Sequence, residues 1–83
     1  MKFKAEINIM TQEQILDPQG KVVTQSLNSM GMNTIENVRI GKHIEFILEA
    51  QSEEEAHNLV DDSCKKLLAN LIMENYSFVL SAI

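Results

Sequence analysis

The chain's 83 residues include one cysteine, Cys64, and two histidines, His43 and His57. These side chains are the first candidates for nucleophilic, acid–base or metal chemistry. A reactive thiol needs an electropositive, accessible setting that favours the thiolate. Cys64 instead falls on the apolar stripe of a predicted helix and reads as a buried, inert thiol. His43 follows Lys42 beside a predicted turn. His57 has Glu53 and Glu54 one turn before it and Asp61 one turn after. Both histidines read as surface residues. Glu53, Glu54, Glu55, Asp61 and Asp62 crowd one helix and read as its solvated face rather than as an acid–base pair. Met30, Met32 and Met73 read as core or interface filling. No C-x-x-C, H-x-x-x-H, G-x-S-x-G or HExxH pattern occurs, and "RIGK" lacks the flanking glycine and Ser/Thr of a phosphate loop. The residues alone therefore offer no catalytic, cofactor-binding or metal set.

The net charge is −5 and the pI about 4.8, with four aromatic residues, Phe3, Phe46, Tyr76 and Phe78. A nucleic-acid binder needs a cationic face to displace counterions, so that partner class is excluded. The longest apolar run falls far short of the ~20 residues that span a bilayer. A lone thiol, and an N-terminus that alternates rather than forming an apolar leader, read as cytoplasmic. Residues 1–83 read as one domain. A core of this size rarely supplies more than about 3–5 kcal/mol. A single cysteine can form no intrachain disulfide, so reinforcement is expected from self-association or a larger partner.

The elements that must position these residues follow from periodicity. Residues 2–10 place Phe3, Ala5, Ile7 and Ile9 on one face of a strand. Asp17 is a helix N-cap and Pro18 a first-turn residue, although "DPQG" also fits a type I turn. Helix 1 is expected from Asp17 to about Met30, with Val22, Val23, Leu27 and Met30 as its stripe and Gly31 as a left-handed terminator. Residues 35–50 read as two strands, Val38–Ile40 and Ile44–Leu48, with Gly41-Lys42 as a turn or bulge between them. A single strand kinked at Gly41 is the alternative. Ser52 and Glu55 form a capping box for helix 2. Its expected stripe is Ala56, Leu59, Val60, Ser63, Cys64, Leu67 and Leu68, and Asn70 is the expected C-cap. Tyr76, Phe78 and Leu80 face inward from a last strand.

The predicted fold is therefore α+β with the order β-α-β-β-α-β. This is the ferredoxin-like, split-βαβ plan, with two helices on one face of an antiparallel sheet. Ile47 and Val79 point to the other face, which is expected to be apolar enough to need a second layer from another chain. Arg39 and Lys42 flank Gly41. They are either solvated cations paired with Glu36 or Glu45, or contacts to a partner. Gly20 is either a tolerated glycine or one kept small because another backbone or subunit approaches.

Three segments in this order, "LDPQGKVV" (16–23), "VRIGKHIEF" (38–46) and "LLAN" (67–70), followed by a terminal strand, resemble the PurS family. These are the small subunits of formylglycinamide ribonucleotide amidotransferase, also called phosphoribosylformylglycinamidine synthase. The resemblance spans nearly the whole chain. It departs at Leu71, where the family commonly has proline. It implies a non-catalytic subunit of an ATP-dependent glutamine amidotransferase, a C–N ligase of purine biosynthesis. That subunit forms a homo-dimer or tetramer and bridges two others. One is a synthetase that binds ATP, Mg and formylglycinamide ribonucleotide. The other is a glutaminase with its own cysteine nucleophile, so Cys64 is not that nucleophile. Ammonia passes between the two. The resemblance also makes the "VRIGK" cations partner contacts. Two rivals share the element order: an ACT-like regulatory module binding an amino acid, and a small ferredoxin-like enzyme with a His/Asp or Arg/Asp site.

Overall fold

The computed structural model describes residues 1–13 and 17–83. Its elements are β1 (Lys2–Thr11), α1 (Pro18–Ser29), β2 (Gly41–Glu49), α2 (Glu53–Ser63) and β3 (Glu74–Ala82). A π turn over Cys64–Leu68 extends α2. The sheet order is β2-β1-β3, antiparallel throughout, so β1 is the central strand. Ile7 stands opposite Ile44 on one side and Phe78 on the other.

The period-2 alternation of β1 decides which face is covered. Phe3, Ala5, Ile7 and Ile9 are buried, while Lys2, Lys4, Glu6 and Asn8 lie on the opposite face. α2 lies over the buried set and adds Ala56, Val60 and Cys64, each fully buried and spaced four residues apart. Ile44, Phe46 and Leu48 of β2 and Tyr76, Phe78 and Leu80 of β3 flank this core half-buried. α2 starts as its sequence dictates. The Ser52 hydroxyl accepts the Glu55 amide at 3.1 Å, and the Glu55 carboxylate reaches back to the Gln51 amide at 3.0 Å. Three glutamates sit in its first turn, at the positive end of the helix dipole.

The α+β class, the antiparallel sheet and the two helices match the sequence reading. Three details differ. Residues 35–40 form no strand, so the order is β-α-β-α-β. The Val38 amide bonds the Thr24 hydroxyl and the Ile40 amide bonds the Asp17 carboxylate, so neither enters a ladder. α1 does not share the sheet face with α2. Gly20 is its one buried residue, and Val22 remains 60% exposed. In the stripe of α2, Leu59 and Leu67 are exposed. The Ala69 amide bonds the Cys64 carbonyl, a π-type closure that inserts a residue and turns Leu67 outward.

The molecule is long and thin, 52 × 27 × 14 Å with a radius of gyration of 16.5 Å. A compact chain of this length would have about 12 Å. α1 and residues 37–40 form an arm beyond the end of the sheet where β2 begins. Among the described residues no helix is long and apolar enough to cross a membrane.

Candidate functional site

The arm is held by a short set of hydrogen bonds between two side chains, Asp17 and Thr24, and the backbone. Asp17 is the N-cap of α1, and Pro18 opens its first turn, where the missing N–H costs no helical bond. One Asp17 oxygen accepts the Gly20 amide at 3.1 Å, and the other accepts the Ile40 amide at 2.9 Å. These two bonds, the Ile40 bond foremost, hold the Asp17 carboxyl below its ordinary pKa. Thr24 donates to the Gly20 carbonyl at 2.8 Å and accepts the Val38 amide at 3.1 Å. A Cβ on Gly20 would overlap the Val38 carbonyl oxygen, so the backbone that approaches Gly20 belongs to the chain itself. Asn37 supplies the reversal that permits this, with φ of 57°. Leu16, the first residue of "LDPQGKVV", lies outside the described residues. Sequence reasoning missed Thr24 and Asn37, since neither type is unusual in a helix or a loop.

Gly41 opens β2 opposite Met10 rather than forming a turn. A Cβ there would strike the Ile9 carbonyl oxygen and the Met10 sulfur, so glycine allows the strand to enter the sheet. Arg39 pairs with Glu13 at 3.8 Å, and Lys42 with Glu74 at 3.7 Å. Neither cation pairs with Glu36 or Glu45. Lys42 stands opposite Ile9 and reaches over the end of the core to β3. Arg39 borders a shallow cleft of about 610 Å³ with Glu13, Asp17 and Lys21. The structure brings Arg39, Asp17 and Gly20 together in the arm and leaves Ile47, Val79 and Asn70 elsewhere.

Ile47 and Val79 are both exposed, at 63% and 56%, but they do not form an apolar face. Ile47 stands beside Lys4 on one outer strand, and Val79 beside Glu6 on the other. The central strand puts its polar side between them. That face carries a chain of polar contacts: Asn8 to His43 and His43 to Glu45, both 2.8 Å, then Lys4 to Glu45 at 3.5 Å and Lys4 to Glu6 at 3.4 Å. The Glu45 carboxyl is lowered, by the His43 bond first and then Lys4, and the Lys4 ammonium is raised by Glu45 and Glu6. The surplus apolar surface lies instead on α1 and along α2.

Cys64 is fully buried, and burial pushes its thiol up, with the Asp61 carboxylate adding to the effect. Next to it the Tyr76 hydroxyl donates to Asp61, which also pairs with Lys65 at 2.9 Å. Tyr76 and then Lys65 lower the Asp61 carboxyl. The His57 ring is exposed and tilts against Phe78 at 5.0 Å. Asn70 is not the helix C-cap, which is Ala69. Asn70 builds the following turn: its side-chain oxygen accepts the Ile72 amide at 3.1 Å, and its carbonyl accepts the Met73 and Glu74 amides. Among the described residues no group of three or more His, Cys, Asp and Glu side chains could hold a metal ion.

Comparison with known proteins matches residues 4–82 to the family model described as "PurS: Phosphoribosylformylglycinamidine (FGAM) synthase". The chain is 40% identical over 76 residues to phosphoribosylformylglycinamidine synthase subunit PurS of Bacillus subtilis, covering 92% of this chain and 89% of that one. It is 33% identical over 81 residues to the PurS subunit of Methanocaldococcus jannaschii, covering 98% of each. Its fold superposes on Bacillus subtilis PurS with a TM-score of 0.85 at 36% identity, covering 96% and 99% of the two chains. A chain of the PurLQS structure from Thermotoga maritima gives a TM-score of 0.89 at 27% identity, covering 98% and 99%. With nearly every residue matched in sequence and in fold, the chain belongs to the PurS family of phosphoribosylformylglycinamidine synthase subunits.

Proposed function

We propose that this chain is a non-catalytic subunit of phosphoribosylformylglycinamidine synthase in purine biosynthesis. It associates with itself and bridges the ATP-dependent synthetase and glutaminase subunits, supporting ammonia transfer between them. ATP and Mg belong to the synthetase in this reading. One observation carries it: the match to a chain of the PurLQS structure covers 98% of this chain and 99% of that one. The shape supports it. An 83-residue chain with a radius of gyration of 16.5 Å presents an arm and an uncovered helix rather than a closed surface. The fully buried Cys64 thiol, raised by that burial, is unsuited to attack glutamine.

The test mixes this chain with a synthetase and a glutaminase subunit and measures complex mass and glutamine-dependent formation of formylglycinamidine ribonucleotide. The expected result is a complex containing all three chains, glutamine-dependent product only when all three are present, and no glutamine hydrolysis or ATP cleavage by this chain alone. Turnover by the purified chain, abolished by Cys64→Ala, would overturn the proposal.

A further inference from the structure

We infer that the free edge of β3 takes up an extended segment of a partner subunit as a fourth strand, a segment with an apolar residue facing Phe78 and a Lys or Arg facing Glu53 and Glu54. This rests on the subunit role proposed above and assigns one surface to it. Among the described residues β3 pairs with β1 alone, so it is an edge strand. Its ladder ends in bonds from the Ile83 amide to the Lys2 carbonyl at 3.0 Å and from the Gln12 amide to the Met73 carbonyl at 2.8 Å. The antiparallel alternation between these ends commits Asn75, Ser77, Val79 and Ser81 to β1. It turns the N–H and C=O groups of Tyr76, Phe78, Leu80 and Ala82 outward.

This edge lacks the devices that keep edge strands from pairing. The nine residues of β3 contain no proline and no lysine, and their one charge is Glu74 at the start. Their register with β1 runs unbroken from Ala82 to Glu74, so no bulge bends the strand away. The opposite edge of the sheet is the contrast. The Ala50 amide bonds the Met1 carbonyl, so β2 turns Gly41, His43, Glu45, Ile47 and Glu49 outward, and its free edge carries charge.

The cleft beside the open edge decides what the added strand must carry. α2 lies along the inner side of β3, with His57 against Phe78 at 5.0 Å and Asp61 bonded to Tyr76. Glu53 and Glu54, one turn earlier on the helix, stand toward Leu80. Between helix and strand runs a cleft of about 600 Å³, with Phe78 and Leu80 as its apolar wall and the two glutamates at its rim. Side chains of an added strand alternate, so every second one enters this cleft. The one beside Phe78 meets an aromatic ring. The next, two residues along and beside Leu80, meets two carboxylates that have no ion pair among the described residues. At the Tyr76 end Asp61 is already paired with Lys65, so the cation belongs at the Leu80 end. A second copy fits this edge poorly. Its β3 has no cation, the free edge of its β2 carries Glu45 and Glu49, and its Lys42 is held by Glu74.

The test is residue-resolved amide exchange of the full chain, alone and in complex with the synthetase and glutaminase subunits, together with the double variant Glu53→Gln, Glu54→Gln. In the isolated chain the Tyr76, Phe78 and Leu80 amides should exchange faster than those of Ser77 and Val79, which the β1 ladder holds. In the complex all three should slow together, at least about a hundredfold, the alternate pattern that a new ladder imposes. The double variant should keep the circular dichroism of the parent, because both side chains are exposed. It should assemble about tenfold more weakly at low salt, a difference that high salt removes. A complex in which any of the three amides exchanges as in the isolated chain would overturn strand addition and leave the subunit role standing. Slowing of these amides in the isolated chain that reverses on dilution would make a second copy the occupant and overturn the partner assignment. Assembly of the double variant at the parent's strength would overturn the cation facing Glu53 and Glu54. Absence of any complex would overturn the proposed function, and this strand addition with it.

Discussion

The Asp17 carboxylate accepts a hydrogen bond of 2.9 Å from the Ile40 amide, so the first residue of the arm is fastened to the last. The same carboxylate caps α1 through Gly20. One side chain therefore both starts the helix and fixes its direction relative to β2. Asp17→Ala should release the arm without opening the sheet, because α1 adds no buried apolar side chain to the core. Amide exchange at Gly20, Val38 and Ile40 should accelerate about tenfold. Exchange at Ile7 should not change.

The bond also predicts a pH dependence. Asp17 titrates below its ordinary value of 3.8 because the Ile40 and Gly20 amides stabilise its charge. A carboxyl with a lowered folded pKa stabilises the folded state above its unfolded pKa, and that contribution disappears as pH falls through the lowered value. Arm protection in the parent should be constant above about pH 5 and decline below about pH 4. Asp17→Asn should remove this decline. An unchanged acid limb in Asp17→Asn would mean that another carboxyl holds the arm.

Gly20→Ala should act against helix propensity. Alanine usually stabilises a helix interior by about 0.5–1 kcal/mol relative to glycine. Here its methyl would overlap the Val38 carbonyl oxygen, so α1 and residues 37–40 must part. Loss of Val38 and Ile40 amide protection with helical ellipticity retained is the expected outcome.

Arg39→Ala and Lys42→Ala should leave the melting temperature nearly unaltered. Their partners Glu13 and Glu74 lie at 3.8 and 3.7 Å, and surface pairs of this kind contribute at most about 1 kcal/mol. Under the proposed function these variants should weaken assembly with the synthetase and glutaminase subunits. Unaltered complex mass and product formation in both variants would show that the cations serve only their intrachain pairs.

Cys64 should react with thiol reagents only through unfolding. In native buffer its labelling should be at least ~10³-fold slower than in denaturant. Cys64→Ser should not diminish glutamine-dependent activity of the assembled complex beyond its effect on stability.

Elements with strong local chemistry were legible in the sequence. The Asp17 and Ser52 caps, the terminator Gly31 with φ of 95°, and the alternation of β1 all stand where the residues place them. That residues 38–40 form no strand was not legible. Val38, Arg39 and Ile40 alternate as a strand does, but their amides are taken by side chains of Thr24 and Asp17, far away in sequence. The position of α1 was equally hidden. An amphipathic stripe shows that a helix needs a partner, not whether its own sheet provides one. Leu59 and Leu67 carry core spacing for the same reason. Of the candidate site, the glycines were visible as special, but only the fold shows that Val38 approaches Gly20 and that Ile9 approaches Gly41.

The central place of β1 also governs how fast the chain can fold. Phe3 pairs with Leu48 on one side and with Ala82 on the other, so both ladders join the beginning of the chain to its later parts. Loop-closure entropy must be met before either ladder gains a bond, which places such a topology among slower two-state folders, in the millisecond-to-second range. β1 and β2 have less chain between them than β1 and β3, so a β1–β2 hairpin-like pair is the favoured nucleus and β3 joins afterwards. Substitutions in β3 should then speed unfolding and leave the refolding rate nearly unaltered, whereas those at Ile44 and Phe46 should slow refolding.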